Sequence, residues 1–385
     1  MFISRFGAFV LPFLTIYLKR LGYSLDHAAL AIGCYGAGNF GAAFLGGDLA
    51  DRIGRRKTIV ISMFSSAAAL MLLYSAKGLP AIFACVFLAG LTSELYRPAS
   101  SALIADLVPP SRRVLAFGVL RFAINAGWAL GPATAGLLAA WSFFWIFAGN
   151  ALASVLFGLL AWIALPKGVR GGGEIRSHGL LSALRHVARD RNFILLSIAS
   201  FATAFIFFQT GSSYSIYVTE HLSYSELTYG LLVSLNGVLI VLLEIPLTFW
   251  TRRMNPLRPM ALGYLLLGAG FGMNALGASG GLIALAAAMS VHTIGEMIAF
   301  PVQGAYAAGL APAHMRGRYL GLLGMTFSLA LIISPFAGAR IYAIHPDALW
   351  WTCVLLGGVA AASILGSRVA PASATVEAKP QEAPM

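Results

Sequence analysis

Charged residues are scarce in this chain. Of its 385 residues, 10% are charged and 59% are hydrophobic. A soluble domain carries roughly 25% charged residues. The composition therefore excludes an ordinary soluble protein, and we expect lipid rather than water to surround most of the chain.

Cysteine is scarce as well. The three cysteines, Cys34, Cys85 and Cys353, all lie in apolar segments. An odd number of buried cysteines provides no disulfide framework and no metal-ligand spacing, so we expect them to be packing residues. The chain also lacks the H-E-x-x-H, Walker-type G-x-x-x-x-G-K-[ST] and G-x-S-x-G motifs. The sequence thus predicts no metal site, no cofactor and no enzyme activity, and it argues against an ATP-driven pump.

Long apolar runs, by contrast, are abundant. A membrane-spanning helix needs about 20 apolar residues, and twelve runs approach this length, which we call spans 1 to 12. Span 1 is short and has no cleavage site, so we expect either a start assigned late or a slightly shortened first helix rather than a removed signal peptide. The spans cover residues 2–18, 28–50, 58–76, 80–108, 114–138, 143–165, 193–217, 227–250, 260–277, 282–311, 319–343 and 349–367.

The longest polar interruption divides the spans six and six. It covers residues 166–192 and is rich in Gly, Lys and Arg. We therefore expect an N-terminal six-helix half at 1–165, a cytoplasmic linker at 166–192 and a C-terminal six-helix half at 193–367. Residues 368–385 are rich in Ala, Pro and Glu and are predicted to form a disordered cytoplasmic tail.

The distribution of basic residues predicts the orientation. The net charge is +12, but most bases lie in short loops between spans, which argues against nucleic-acid binding. We call the side with these loops the basic face and the other side the opposite face. The positive-inside rule makes the basic face, and with it both termini, cytoplasmic. The loops of the basic face are 51–57, 109–113, 166–192, 251–259 and 312–318, and those of the opposite face hold Lys19, Arg20 and Lys77.

The two halves also repeat in sequence. One constant shift superposes spans 4 and 5 on spans 10 and 11 without a gap. Parallel six-helix repeats are a transporter architecture, with the substrate site near the membrane midplane between the halves. The sequence therefore predicts an all-α membrane protein with twelve transmembrane helices in two pseudo-symmetric six-helix halves. The shift places Pro98 on Pro301, Pro109 on Pro312, Arg113 on Arg316, Gly118 on Gly321 and Pro132 on Pro335.

The segment between spans 2 and 3 concentrates charge. It reads Gly46-Gly-Asp-Leu-Ala-Asp51-Arg52-Ile-Gly54-Arg55-Arg-Lys57. Because a charge at a helix centre costs about 2.5–3.5 kcal/mol, this segment must lie at a membrane face. Its pattern G-x-x-x-D-R-x-G-R-R resembles the corresponding loop of the major facilitator superfamily, and with the spans and the repeat the resemblance covers nearly the whole chain.

The resemblance implies a cytoplasmic latch. In that family the acid and base of this loop hold the two halves together while the transporter is open outward. Here these roles fall to Asp51 and Arg55, with Asp106 at the end of span 4 as a plausible partner of Arg55. The alternative is that the bases only enforce topology. The full predicted latch comprises Gly47, Asp51, Arg52, Gly54, Arg55 and Asp106, with the two glycines allowing close helix approach and a tight turn.

Span 5 makes the resemblance to the superfamily more specific. Its small residues fit the pattern G-x8-G-x3-G-P-x2-G-G, which is similar to the motif of drug:proton antiporters within the superfamily, except that Ala135 replaces the first glycine of the final pair. Small residues let neighbouring helices approach closely, and a proline bends the helix. Glycine-rich membrane helices are also common without this function. The residues that match are Gly118, Gly127, Gly131, Pro132 and Gly136.

Ionisable residues within spans are functional candidates by default. Glu94 lies in span 4 and Glu296 in span 10. The Gly295-Glu296 pair, followed by Pro301, resembles span 10 of bacterial multidrug:proton antiporters, so Glu296 is the first candidate for proton coupling. Arg97 lies one turn from Glu94, where an intrahelical ion pair is the simpler interpretation.

Several other polar residues complete the candidate cavity. Arg121 and Asn125 share one face of span 5, and we expect them to join Arg97 in a polar patch of the N-terminal half. Glu244, nearer the end of span 8, ranks below Glu296. Aromatic residues are assigned no substrate role. Weaker candidates for the cavity lining are Asn39, Gln209, Asn236, His292 and Gln303.

These features favour a secondary transporter of the inner membrane that exports hydrophobic or cationic small molecules, such as drugs, in exchange for protons. Its expected partners are the substrate, protons and the lipid bilayer, and it is expected to be monomeric. The alternatives are transport of another solute, such as a sugar, peptide or metabolite, and a membrane sensor or enzyme on the same scaffold. Ser4-Arg5-Phe6 resembles part of the E-x-x-E-R-F signature of proton-coupled peptide transporters, but Met1 and Ser4 replace its two acids.

Overall fold

The chain is almost entirely helical. The structure is a computed structural model that describes residues 1–107, 113–166, 189–251, 254–310 and 316–367. Ten segments among these residues are long and apolar enough to cross a membrane, and they correspond to every span except 2 and 9. Span 2 is a long helix that carries the charged segment at its end, and the helix of span 9 has 16 residues.

The helices follow the predicted spans closely. Span 1 comprises Phe2–Phe6 and Val10–Arg20, span 2 Leu25–Ile53, span 3 Arg55–Ser75, span 4 Leu79–Glu94 and Tyr96–Leu107, span 5 Arg113–Trp141 and span 6 Phe143–Ala164. Span 7 comprises Arg191–Phe208, Ser213–Ile216 and a π-helical turn Tyr217–His221, span 8 Glu226–Thr251, and span 9 Leu257–Gly272 with the 3-10 turn Met273–Leu276. Span 10 is Gly277–Leu310, span 11 Arg316–Ile344 and span 12 Pro346–Leu365.

Polar side chains and glycines set the helix ends. Ser24 accepts a hydrogen bond from the backbone N–H of His27 at the start of span 2, and Asp190 accepts one from Phe193 at the start of span 7. Such caps satisfy backbone donors that the first helical turn leaves without partners. Gly54 has φ +96° between spans 2 and 3, so the tight turn predicted there is confirmed.

Buried apolar residues show how the halves are joined. One cluster near the opposite face combines residues of both halves, among them Phe13, Tyr17, Tyr229 and Trp350. Towards the basic face the core divides into two separate clusters. One lies in the first six spans around Tyr96 and Phe157, and the other lies in the last six around residues such as Tyr264 and Tyr319. The described residues therefore hold the halves together at the opposite face and apart towards the basic face.

Two segments fall largely outside the described residues. Of the predicted linker at 166–192, residues 167–188 are not described, and neither is the tail at 368–385. The boundaries of the two halves, the linker and the tail therefore stay predictions.

Candidate functional site: a cavity between the two halves

Ion pairs close the opposite face. Lys19 Nζ lies 3.4 Å from Glu220 Oε2, and Arg340 Nε lies 3.0 Å from Asp26 Oδ1. Arg20 also pairs with Glu226. Each pair joins one of the first two spans to a span of the second half. These ion pairs and the apolar cluster near the same face therefore both hold the two halves together.

Small residues bring spans 5 and 8 into backbone contact. A Cβ atom at Gly237 would lie 2.5 Å from the backbone N and Cα of Ala129. One at Gly136 would lie 2.8 Å from the carbonyl oxygen of Glu226. Real Cβ atoms do not approach so closely, so the two helices fit only because glycine occupies these positions. Pro132 lies inside the helix of span 5, and its carbonyl oxygen contacts Gly230.

The other glycines of the span 5 motif position the first helix. A Cβ atom at Gly127 would lie 2.7 Å from the backbone N of Phe6, and one at Gly131 would lie 2.8 Å from the carbonyl oxygen of Phe6. The close helix approach predicted for this motif is thus confirmed at Gly127, Gly131 and Gly136. The surroundings of Gly118 lie outside what the structure describes.

Towards the basic face the halves leave open space. Among the residues that the structure describes, none has an atom within 4 Å of a Cβ atom built on Gly304, Gly321 or Gly324. Two adjoining cavities lie between the halves. We call them the first lobe, of about 490 Å³, and the second lobe, of about 280 Å³. Residues that line both lobes are Leu11, Trp128, Phe207, Phe208 and Leu331.

The first lobe contains a buried charge cluster. Arg5 Nη2 donates to both carboxylate oxygens of Glu94, at 3.2 and 3.3 Å, and Arg97 Nε lies 3.0 Å from Glu94 Oε2. The ion pair suggested by the spacing of Glu94 and Arg97 is therefore present. Sequence reasoning missed the role of Arg5, which lies 89 positions before Glu94 and which Gly127 allows close to span 5.

The second lobe contains Glu296. Asn236 Nδ2 donates to Glu296 Oε2 at 2.9 Å and to Thr293 Oγ1 at 3.0 Å. Spans 8 and 10 thus hold the carboxyl at the cavity wall within the second half. His292, one turn before Glu296, lines the same lobe and packs edge-on against Phe271.

Asn125 does not join the polar patch predicted for the N-terminal half. Its Nδ2 donates to Glu244 Oε2 at 3.0 Å, and it lines the second lobe, whereas Arg97 lines the first. That part of the prediction is wrong, because span 5 turns Asn125 towards span 8 of the other half. The side chain of Arg121 lies outside what the structure describes.

The weaker candidates divide into two groups. Asn39 lines the first lobe, and Asn236 and His292 line the second. Gln209 and Gln303 instead serve packing. Gln209 Nε2 donates to the carbonyl oxygens of Phe205 and Ser334, and Gln303 Oε1 accepts a hydrogen bond from a tyrosine hydroxyl at 2.7 Å. Both glutamines are buried and line neither the first nor the second lobe, so their place in the cavity lining stays a prediction.

Aromatic side chains line more of the cavity than the sequence indicated. Trp128, Phe207 and Phe208 border both lobes, and Phe327 borders the first. Phe208 and Phe327 pack edge to face, with ring centroids 6.3 Å apart. Periodicity alone cannot separate such residues from lipid-facing aromatics, because the distinction depends on which helix face meets the other half.

The predicted latch is only partly described. Arg55 is buried at 8% exposure, Arg52 is exposed, and Gly54 forms the turn between their helices. The side chains of Asp51 and Asp106 and the surroundings of Gly47 lie outside what the structure describes. The ion pairing of the latch therefore stays a prediction.

Replacing the latch residues is expected to impair transport without preventing membrane insertion. Asp51→Asn and Arg55→Ala change the balance between states rather than a contact with substrate. An exposed ion pair is worth about 0–1 kcal/mol and the loss of a buried partner costs more, so, because Arg55 is buried, a reduction of at least roughly two- to fivefold in transport rate is expected. Transport measured at matched expression checks this, with Lys57→Gln as a control of similar charge. Unchanged transport by both latch variants would contradict the latch.

Comparisons with known proteins agree with this architecture. The family model of the Major Facilitator Superfamily matches residues 1–218 and 196–385. The uncharacterised MFS-type transporter YttB of Bacillus subtilis (strain 168) is 28% identical over 97% of this chain and 95% of its own length. The Na(+), Li(+), K(+)/H(+) antiporter of Planococcus maritimus is 27% identical over 92% and 89%. The multidrug resistance protein MdtH of Cronobacter sakazakii (strain ATCC BAA-894) is 27% identical over 91% and 87%.

Solved structures share the fold. A peptide transporter POT in complex with sulfate superposes with a TM-score of 0.77 at 21% identity, covering 94% of this chain and 91% of its own. A D-xylose-proton symporter superposes with a TM-score of 0.75 at 16% identity, covering 96% and 97%. Both likenesses establish the fold of twelve helices in two halves and nothing finer. With the family model matching both halves, the chain belongs to the major facilitator superfamily of membrane transporters.

Proposed function

We propose that this protein is a secondary active transporter that exports hydrophobic or cationic small molecules in exchange for protons. The observation that carries the proposal is the position of Glu296, a carboxyl held by Asn236 at the wall of a cavity between the two halves. A carboxyl in this place can bind either a proton or a cationic group. Competition between the two at one site is the basis of antiport.

In this proposal the substrate crosses the membrane by alternating access, in which the cavity opens to one side and then to the other. The halves meet at the opposite face through ion pairs and the contact of spans 5 and 8, and the cavity lies between them. Opening of the opposite face would separate these contacts and, with the latch closing the basic face, turn the cavity to the other side of the membrane. The motif in span 5 supports this proposal, because its residues Pro132 and Gly136 lie at the contact that must form and part.

Similarity to known transporters supports export more than uptake. The relatives include a monovalent cation/proton antiporter and a multidrug resistance protein, each matched over most of this chain. The peptide and xylose transporters that share the fold keep open the second candidate, proton-coupled transport of another solute. The ion pair of Arg5 with Glu94 at the cavity is the specific observation that favours it, since it adds a polar group suited to a polar solute.

We place the protein in the inner membrane as a monomer, with the basic face and both termini cytoplasmic. The support is the excess of Lys and Arg in the loops of that face. In a chain whose native cysteines are replaced, a single cysteine at Ser177 in the linker should escape a membrane-impermeant thiol reagent added from outside. One at Ser223, exposed between spans 7 and 8, should react. The reverse pattern would invert the topology.

Uptake assays with everted vesicles test the proposed function directly. A proton gradient should drive accumulation of hydrophobic cationic dyes such as ethidium into everted vesicles that contain the protein. An uncoupler should abolish the accumulation, and vesicles without the protein should not show it. Growth-inhibition screening of cells that produce the protein identifies the compounds that it exports. Dye accumulation that persists in the presence of the uncoupler would contradict proton coupling.

A further inference from the structure

The charges of the first lobe do not balance. Among the described residues that line it, Arg5 and Arg97 are positive and Glu94 is negative. Both oxygens of Glu94 already accept bonds from these two guanidinium groups. Among the described lining residues one positive charge therefore exceeds the negative charge, and a cleft with an excess of one sign favours a group of the opposite sign brought in from outside.

The first lobe also has unused hydrogen-bond donors. Arg5 Nε is buried and has no hydrogen-bond partner among the described residues, and the side chain of Arg5 is 11% exposed. Arg97 bonds Glu94 through Nε, and its side chain is 55% exposed at the cavity. The carboxamide oxygen of Asn150 accepts a bond from the backbone N–H of Val10, so its NH2 group is a further donor at the same wall. These donors lie where the net charge of the described lining residues is positive.

We propose that the first lobe binds the carboxylate of an amphiphilic substrate. A planar carboxylate matches the geometry of guanidinium donors and carries the single charge that is missing. The lining also includes aromatic side chains, among them Trp128, Phe208 and Phe327, beside hydroxyl and carboxamide groups such as those of Ser93 and Asn39. A volume of about 490 Å³ suits a molecule of drug size. The substrate class is therefore an aromatic or aliphatic body that carries one acid group.

This inference rests on the proposed function only in taking the cavity as the substrate site. The acid group would occupy the first lobe, and a proton or a cationic group of the same molecule would bind at Glu296 in the second lobe. The inference thus extends the hydrophobic compounds proposed above to those with an acid group, with or without a cationic one.

Equilibrium binding without a gradient tests the inference separately from transport. The purified full-length protein in detergent is titrated with three probes of one shape, 1-naphthylacetate, 1-naphthylacetamide and 1-naphthylethylammonium. Calorimetry measures the dissociation constants. We expect the carboxylate to bind at least about tenfold more tightly than the amide, since hydrogen bonds between ionised groups are the stronger ones.

Variants at Arg97 locate the effect. Arg97→Gln leaves Arg5 and Glu94 as a balanced pair, so the protein should fold and bind the amide as before while its preference for the carboxylate disappears. Arg97→Lys keeps the charge without the planar fork and should keep part of the preference. Lys77→Gln, which removes a positive charge from the exposed loop between spans 3 and 4, is the matched control and should bind all three probes as the wild type does.

The outcomes separate the two proposals. Equal binding of carboxylate and amide by the wild type, or a carboxylate preference that survives in Arg97→Gln, would overturn the anion site. Tightest binding of the ammonium probe would overturn it as well while leaving the proposed cation export intact. Failure of all three probes to bind would contradict the cavity as a substrate site and so count against both proposals.

Discussion

Glu296→Gln is expected to abolish proton-driven efflux of cationic substrates. Glutamine can keep a hydrogen bond with Asn236, which now donates to Glu296 at 2.9 Å, but it cannot bind and release a proton or attract a cation. Coupling between two ligands is typically worth 5- to 150-fold in affinity, so efflux against a gradient should fall at least about tenfold. Exchange of substrate without a gradient can survive, because it needs only the cavity and the motion of the halves.

Two further variants serve as comparisons for Glu296→Gln. Asp347→Asn removes an acid from the exposed start of span 12 and should leave efflux unchanged. Glu94→Gln removes the carboxylate that two arginines share, and breaking a buried pair costs about 3–5 kcal/mol, so reduced folded protein is expected rather than a specific loss of coupling. Uphill efflux by Glu296→Gln at the wild-type rate would place coupling elsewhere, with Glu94 and Glu244 next to be examined.

Gly237→Ala is expected to reduce transport severely. The added Cβ atom would lie 2.5 Å from the backbone of Ala129, and no side-chain rotation can relieve contact with a backbone. Overpacking of this kind costs about 1–3 kcal/mol. If this cost destabilises the state in which the opposite face is closed, the population of that state falls roughly five- to a hundredfold relative to the state in which spans 5 and 8 are apart.

Gly358→Ala is the matched control for this substitution. Gly358 lies in span 12 with nothing within 4 Å of its Cβ position, so the same methyl group should leave transport unchanged. In Gly237→Ala, a thiol reagent should also react faster with a cysteine introduced at Ser234, which the contact of spans 5 and 8 now buries. Normal transport by Gly237→Ala would show that this contact can loosen without consequence.

Local sequence features predicted much of the architecture. Apolar length located the spans, and the turn at Gly54 followed from the resemblance of its loop to the corresponding loop of the major facilitator superfamily. The ion pair of Glu94 with Arg97 was predictable because both residues lie in one span, three positions apart. Each of these features depends on residues close together in the chain.

Contacts between distant spans could not be predicted in the same way. The bond of Asn125 to Glu244 depends on how span 5 is rotated against span 8, and helical periodicity does not fix that rotation. Arg5 reaches Glu94 only because span 1 breaks after Phe6 and packs against Gly127. The aromatic wall of the cavity was missed for the same reason, since the lipid-facing and cavity-facing sides of an apolar helix have similar compositions.

The direction of proton movement tests antiport most directly. Proteoliposomes that contain a pH-sensitive dye are loaded with an exported compound and diluted into medium without it, at equal pH on both sides. As the compound leaves, antiport through Glu296 predicts that protons enter and the lumen becomes more acidic, while Glu296→Gln liposomes show no change. A lumen that becomes more alkaline would mean that protons leave together with the compound, and it would contradict antiport in favour of symport.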